Sequence, residues 1–559
     1  MCSDSGRRRA WTGAAALALL AISGGCITRG CSGAASEQPA AAPEQRPASP
    51  ASAEARSPVS ANGKPEGAVV LQAARAGWSR LIPEQSALFD VTLRNGAGAP
   101  RQVTSLNDNT WTPVVRAYDA SGQLLAEGSP RDLQERLAGH MGEPTEAPPA
   151  TVTLGPGEEQ PLPVELWHFM NPLRPGRYAL EVVHTADPAS ATPVSSGRVP
   201  FEVIPAGVEA CALGYESAQR LSTVLAWIAV PSDTSAPELF ARASGSTHAA
   251  PQSAGRSFGA VPPGAAIAVG AAPPDAMTTW LGWVAVAAGG QVELHQHSLG
   301  APAWRSGPIP LPVAGAVPVP RFPDRGHAVF LATGLAGGRP ALTGVSARPK
   351  APPPAAWTVP LAALPRRSAC AFAATGAIAV ILVSDDGATT RVARVDVDES
   401  GAVVSPERVL RTSPNEVLAV TVDQRPGAPQ VVLLLESNRT QPNRVALVRL
   451  PLAGGAAAVV PFAPARGWPS VVAEGGERAL RAREVALEVD WDGRPQLALV
   501  DELGRLFAGP LDGSPLGMIR DAARGPARCP HAGALREQTT FAGFAADGSL
   551  FFSPEGHGH

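Results

Sequence analysis

Beyond residue 67, apolar and polar positions alternate along almost the whole chain, with the period of two that a half-buried strand requires. Five such runs fall in the first part: 87–93 (ALFDVTL), 113–118 (PVVRAY), 160–166 (QPLPVEL), 177–183 (RYALEVV) and 199–203 (VPFEV). Asn95-Gly96, Ser121-Gly122 and Pro175-Gly176 separate them with turn chemistry. Short strands at this spacing predict a β-sandwich over 67–206. One inserted helix is predicted there, with Ser129 as N-cap, Pro130 at the first helical position and a run to Leu137.

From residue 207 to 559 the pattern becomes a recurring block. Each block is read as opening on an apolar strand rich in Ala and Val, which turns and returns as a half-polar strand. The openings are 221–230, 281–287, 327–332, 377–383, 430–435, 495–500 and 541–552. Their spacing clusters near about 50 residues, the length of a four-stranded propeller blade. Trp304 and Trp357 echo the period, each preceded by Ala and soon followed by Pro and Leu. Tryptophans repeating at blade period predict packing between blades rather than an aromatic rim for sugars. Convincing helices are nearly absent, which excludes the α/β enzyme folds.

On these residues the second part resembles β-propellers in general, with about seven blades and six or eight as the neighbouring counts. It lacks the Trp-Asp and kelch signatures and the Trp-anchored repeat of quinone-binding propellers. In the first part, the run from Leu173 through Pro175-Gly176 to Tyr178 resembles the stretch entering a late strand in immunoglobulin-like and fibronectin-like domains. That resemblance implies a structural Tyr178, bonding at a corner. The fold class expected is therefore all-β: an immunoglobulin-like sandwich followed by a propeller.

The N-terminal segment breaks the alternation. Arg7-Arg8-Arg9 precede an uncharged run from Ala10 to Ile22, and Ser23-Gly24-Gly25-Cys26 follow. The run falls short of the about 20 residues needed to span a bilayer, so an export signal over 1–25 is predicted. Gly25-Cys26 resembles the lipobox of bacterial lipoproteins, whose cysteine is lipidated after cleavage; Ser23 departs from the usual Leu, Val or Ile. Cleavage near Gly33-Ala34, releasing a secreted protein, is the alternative. Residues 26–66 are Ala, Pro, Ser, Glu and Gln with scarcely a large apolar side chain. Such a stretch cannot bury enough surface to offset its ordering entropy, and it reads as a disordered tether. At about 3.1 Å per residue in polyproline geometry it reaches ~100 Å.

Composition changes the picture in two places. Net charge is −3, which argues against nucleic acid as a partner. Lys64 and Lys350 are the two lysines among 46 basic residues, a codon-bias signature that removes arginine abundance as a functional clue. Of six cysteines, Cys211 lies just before the first block and Cys529 at the start of the last. A closed ring makes them neighbours, so a disulfide between them is expected in an exported protein. Cys370 reads as a buried thiol.

Local matches to catalytic motifs fail on context. Asp396, Asp398, Gly401 and Glu407 have calcium-loop spacing, but 391–397 alternates as a strand and Glu399-Ser400-Gly401 is a hairpin turn. Gly255-Arg-Ser257-Phe-Gly259 matches a nucleophile elbow without a following helix. Ser384-Asp-Asp-Gly-Ala-Thr389 is close to the Asp-box hairpin of sialidases, one residue short. His295 and His297 share one strand face, and His557 and His559 end the sequence; with no third ligand in register they read as solvent-exposed. No cofactor, metal or catalytic residue follows. The expectation is a non-catalytic exported lipoprotein, anchored through Cys26 to a membrane of the cell envelope and binding a protein or glycan on the propeller face. An extracellular glycan hydrolase or lyase with a site in the channel, and an envelope-assembly subunit, are the alternatives.

Overall fold

A computed structural model describes residues 69–554 apart from loops, of which 107–112, 130–149, 167–172, 187–191, 216–221, 246–254, 271–277, 285–289, 299–304, 321–327, 348–354, 462–467, 521–524 and 535–538 are the longer. The signal segment with Cys26, the tether and the helix expected from Pro130 lie outside the described residues.

The first part is a sandwich of two main sheets, with an additional two-stranded ribbon pairing Arg101–Thr104 with Thr151–Leu154. One sheet orders Val69–Arg75, Leu88–Asn95 and Glu159–Glu165; the other orders Leu124–Gly128, Val114–Asp119, Gly176–His184 and Val194–Val203. Alternation aims Phe89, Val91 and Leu93 from one sheet and Val115, Leu180, Val182 and Phe201 from the other into a shared core. The Tyr178 hydroxyl donates to the Arg174 carbonyl at 2.7 Å, and its ring lies 5.6 Å from that of Phe201.

The second part is a β-propeller. Among the described residues, six four-stranded sheets and one three-stranded sheet follow one another in strict sequence order. We number them as blades 1 (206–260), 2 (266–310), 3 (314–360), 4 (367–413), 5 (416–461), 6 (482–520) and 7 (528–554). A separate hairpin, Ser470–Ala473 with Gly476–Ala479, sits between blades 5 and 6 in sequence. The apolar cores lie between consecutive blades: Ala268, Leu294 and Phe330 join blades 2 and 3, and Ile381, Val432 and Leu434 join blades 4 and 5.

The apolar segments expected to open each block are in fact the second strands. Ile378–Asp385 of blade 4 and Pro495–Asp501 of blade 6 are each the second strand, and each is buried almost throughout. Innermost strands are less apolar and more exposed, as in Glu416–Asp423 and Ala482–Val489. A second strand has hydrogen-bonded neighbours on both edges and blades on both faces, so nearly every position is apolar. An innermost strand has one edge on the channel, which relaxes that demand.

Trp357, on the outer strand of blade 3, packs toward blade 4. Its Nε1 donates to the Glu399 carbonyl at 3.2 Å, in the hairpin turn of blade 4. A Cβ at Gly344 or Gly401 would overlap the indole, so glycine is required at both positions. Gly401 also has φ +86°, which favours glycine.

The ring seam lies between blades 1 and 7. Their innermost strands, Ala206–Tyr215 and Arg528–Ala534, touch, and a disulfide joins Cys211 to Cys529 with Cα atoms 6.0 Å apart. A loop of the sandwich is wedged into the same seam. Glu84 accepts from the Gly255 amide of blade 1 through its carbonyl at 2.7 Å, and from the Leu550 amide of blade 7 through its carboxylate at 3.2 Å. Ile82 packs with Trp227, Phe240 and Phe544, drawn from both blades. The sandwich thus contributes a loop to the ring seam.

Candidate functional site

Side chains from the innermost strands of all seven blades line a central channel of about 520 Å³. Most of the wall is small and apolar: Ala210, Ala266, Val317, Ala369, Val420 and Ala486 are examples. Five ionisable groups interrupt it, namely Arg366 and Arg367 of blade 4, Glu484 and Glu488 of blade 6, and His531 of blade 7.

Glu484, Glu488 and His531 have structural partners. One Glu484 carboxylate oxygen accepts the Cys529 amide at 2.6 Å, while the other lies 3.6 Å from Arg528 Nη1 and 3.9 Å from Arg483 Nε. Glu488 is buried and accepts the amide of Val489 at 2.9 Å. His531 Nε2 lies 3.0 Å from Cys211 Sγ. Burial draws the pKa of Arg367 below its ordinary value, with the charges of Glu416 and Asp385 opposing. Among the described residues no group of three or more His, Cys, Asp or Glu is arranged to hold a metal ion.

Other charged groups brace one blade against the next. Arg439 of blade 5 donates to Asp385 at 2.9 Å and Thr390 at 3.0 Å in blade 4. Arg411 of blade 4 meets the buried Glu436 of blade 5 at 2.7 Å. At the seam, Arg242 of blade 1 and Glu84 form a fully buried ion pair. Burial pushes the Glu84 carboxyl up, and draws Arg242 down to about 10. No local pattern marked Glu84, Arg242 or His531, because Glu84 and Arg242 meet only when the sandwich loop docks on blade 1, and His531 meets Cys211 only on closure of the ring.

The residues singled out by motif are dispersed. Asp396 pairs with Arg394 at 2.6 Å, Asp398 caps its own turn through the amides of Ser400 and Ala402, and Glu407 meets Arg391 at 2.6 Å. Ser257 lies on the outer strand of blade 1, 3.3 Å from Glu238. Asp386 accepts the amides of Ala388 and Thr389, closing a hairpin. His295 is buried, contrary to the exposed position expected, because its strand face turns toward Phe258 of blade 1. Its Nε2 lies 3.2 Å from Glu293, and this contact holds the Glu293 carboxyl below its usual range. The side chain of His297 and residues 557–559 lie outside the described residues.

The sequential four-stranded sheets and the closed ring define a β-propeller protein with a sandwich fused at its seam. No protein-family model and no curated protein matches the chain. Solved structures similar to it include the fungal lectin of Aleuria aurantia, a six-bladed β-propeller with a fucose recognition mode: 9% identity over 51% of this chain and 90% of that one, TM-score 0.30. The acylaminoacyl peptidase of Pyrococcus horikoshii is similar at 9% identity over 62% of this chain and 51% of that one, TM-score 0.35. The exo-β-1,3-galactanase of Phanerochaete chrysosporium is similar at 12% identity over 44% and 61%, TM-score 0.26. The propeller is established here by the chain's own sheet order.

Proposed function

We propose that the protein is an exported, lipid-anchored binding or scaffold module of the cell envelope, non-catalytic, and that it takes a protein or glycan partner on the propeller face. The observation that carries this reading is the state of the channel wall. Among the described residues, the Glu484 carboxylate is engaged with the Cys529 amide and lies near Arg528, and one Glu488 oxygen accepts the Val489 amide, which favours binding over acid–base chemistry at this wall. A channel wall built mostly of small apolar side chains suits recognition better than proton transfer. Anchorage is supported by the lipobox-like Gly25-Cys26 and the Ala/Pro/Ser stretch behind it. Several acyl chains, at about 0.8 kcal/mol per buried CH₂, hold such a protein firmly.

Two measurements test the reading. Mass spectrometry of the mature N-terminus is expected to find a diacylglyceryl group on Cys26; an unmodified terminus near Ala34 or Ala35 overturns the anchor. The purified protein, offered a glycan panel, is expected to bind without releasing product. Turnover that disappears in Glu484→Gln or Glu488→Gln would identify a channel enzyme instead.

A further inference from the structure

We propose that Cys211–Cys529 is an exchange-active disulfide, open to low-molecular-weight thiols from the channel, with His531 holding the proton of the leaving sulfur. Three observations converge on one wall. Both cysteines are partly exposed and line the channel with His531. His531 Nε2 sits 3.0 Å from the sulfur of Cys211. Cys529 has φ 53°, a left-handed backbone that a non-glycine residue keeps only when its surroundings impose it.

The two sulfurs are unequal. An imidazolium beside Cys211 stabilises a thiolate there, and a lower thiol pKa makes the better leaving group. At the other cysteine, the Glu484 carboxylate accepts the backbone amide of Cys529. An external thiolate therefore attacks Cys529 Sγ, forming a mixed disulfide, while the S–S bond breaks and Cys211 departs as a thiolate paired with protonated His531. A second thiolate attacks the external sulfur of the mixed disulfide, which releases oxidised thiol and frees Cys529. Two thiols are oxidised to one disulfide, and the two electrons reduce the bridge. The ring survives because the seam has other ties: the Glu84 wedge, and the Ala206 amide donating to the Asp547 carbonyl at 3.0 Å. Ionisable groups on the elements packed around His531 are Glu209, Arg483, Glu484, Glu488 and Asp501, with Arg528 on its own strand.

Timed exposure of the full chain to reduced glutathione, followed by alkylation and peptide mass mapping, tests the proposal. Cys370 is a thiol that borders the same channel but is buried, its sulfur 3.6 Å from the Pro320 carbonyl, so its alkylation reports loosening of the ring within the same molecule. Expected are a glutathione adduct on Cys529, then alkylation of Cys211 and Cys529 while Cys370 stays protected. The rate per unit thiolate falls as rising pH removes the His531 proton. His531→Gln reduces about tenfold more slowly and loses that pH dependence. Reduction only together with Cys370 exposure, or an adduct on Cys211, overturns the proposal in the wild-type chain whether or not the variant folds. So does an unchanged rate in a folded His531→Gln.

Discussion

His184, at the end of a sandwich strand, is buried, and its Nε2–H donates to the Thr104 carbonyl at 3.0 Å. Burial draws its pKa below the ordinary 6.5, with that hydrogen bond opposing. The unfolded chain takes up a proton as pH falls below about 6.5 while the folded chain resists it. Stability from this site is thus complete above the unfolded value and is lost as pH falls toward the folded one, at about 1.4 kcal/mol per unit of depression. Thermal unfolding followed from pH 7.5 downward, values set by the experimenter at about the imidazole range, is expected to show a falling midpoint below ~6.5. His184→Gln should flatten that slope; an equal slope in the variant would assign the acid sensitivity elsewhere.

Blades are the elements on which packing acts, and Trp357 shows how one is joined to the next. The indole covers Gly344 on its own sheet and Gly401 in the adjoining blade, with its N–H tied to Glu399. Gly401→Ala meets both the indole and the left-handed backbone, so a loss of about 1–3 kcal/mol from overpacking is expected, enlarged by the strained φ. Chemical denaturation measures it, and an unchanged midpoint would mean the indole swings free at little cost. The period of the tryptophans was legible in the alternation, as was the apolar strand of each repeat. Its place as the second strand was not: burial on both faces and use of both edges are settled only when blades stand side by side.

The whole molecule is a ring closed at one seam, and the sandwich loop takes part in the closure. Glu84 is 5% exposed, and one face of its peptide and carboxylate serves each of the two blades. A buried ion pair adds little net stability, yet loss of one partner strands the other charge. Arg242→Ala is expected to lower the unfolding free energy by about 3–5 kcal/mol, and Glu84→Gln with Arg242→Met together to recover most of it. Denaturant titrations of the single and double variants decide this; a double variant as unstable as the single would place the loss in packing instead.

The amino-acid sequence by itself determined the strand period, the all-β class and a repeat with seven apolar segments, because each is a property of neighbouring residues. It also marked Cys211 and Cys529 as flanking the repeat. Only the tertiary structure decided the sandwich loop's place in the ring seam, the Glu84–Arg242 pair across 158 positions, and the placing of His531 beside a sulfur 320 positions away. Those two pairings join segments whose local patterns carry no trace of each other: the first exists only once the sandwich loop has docked on blade 1, the second only after the last blade has met the first.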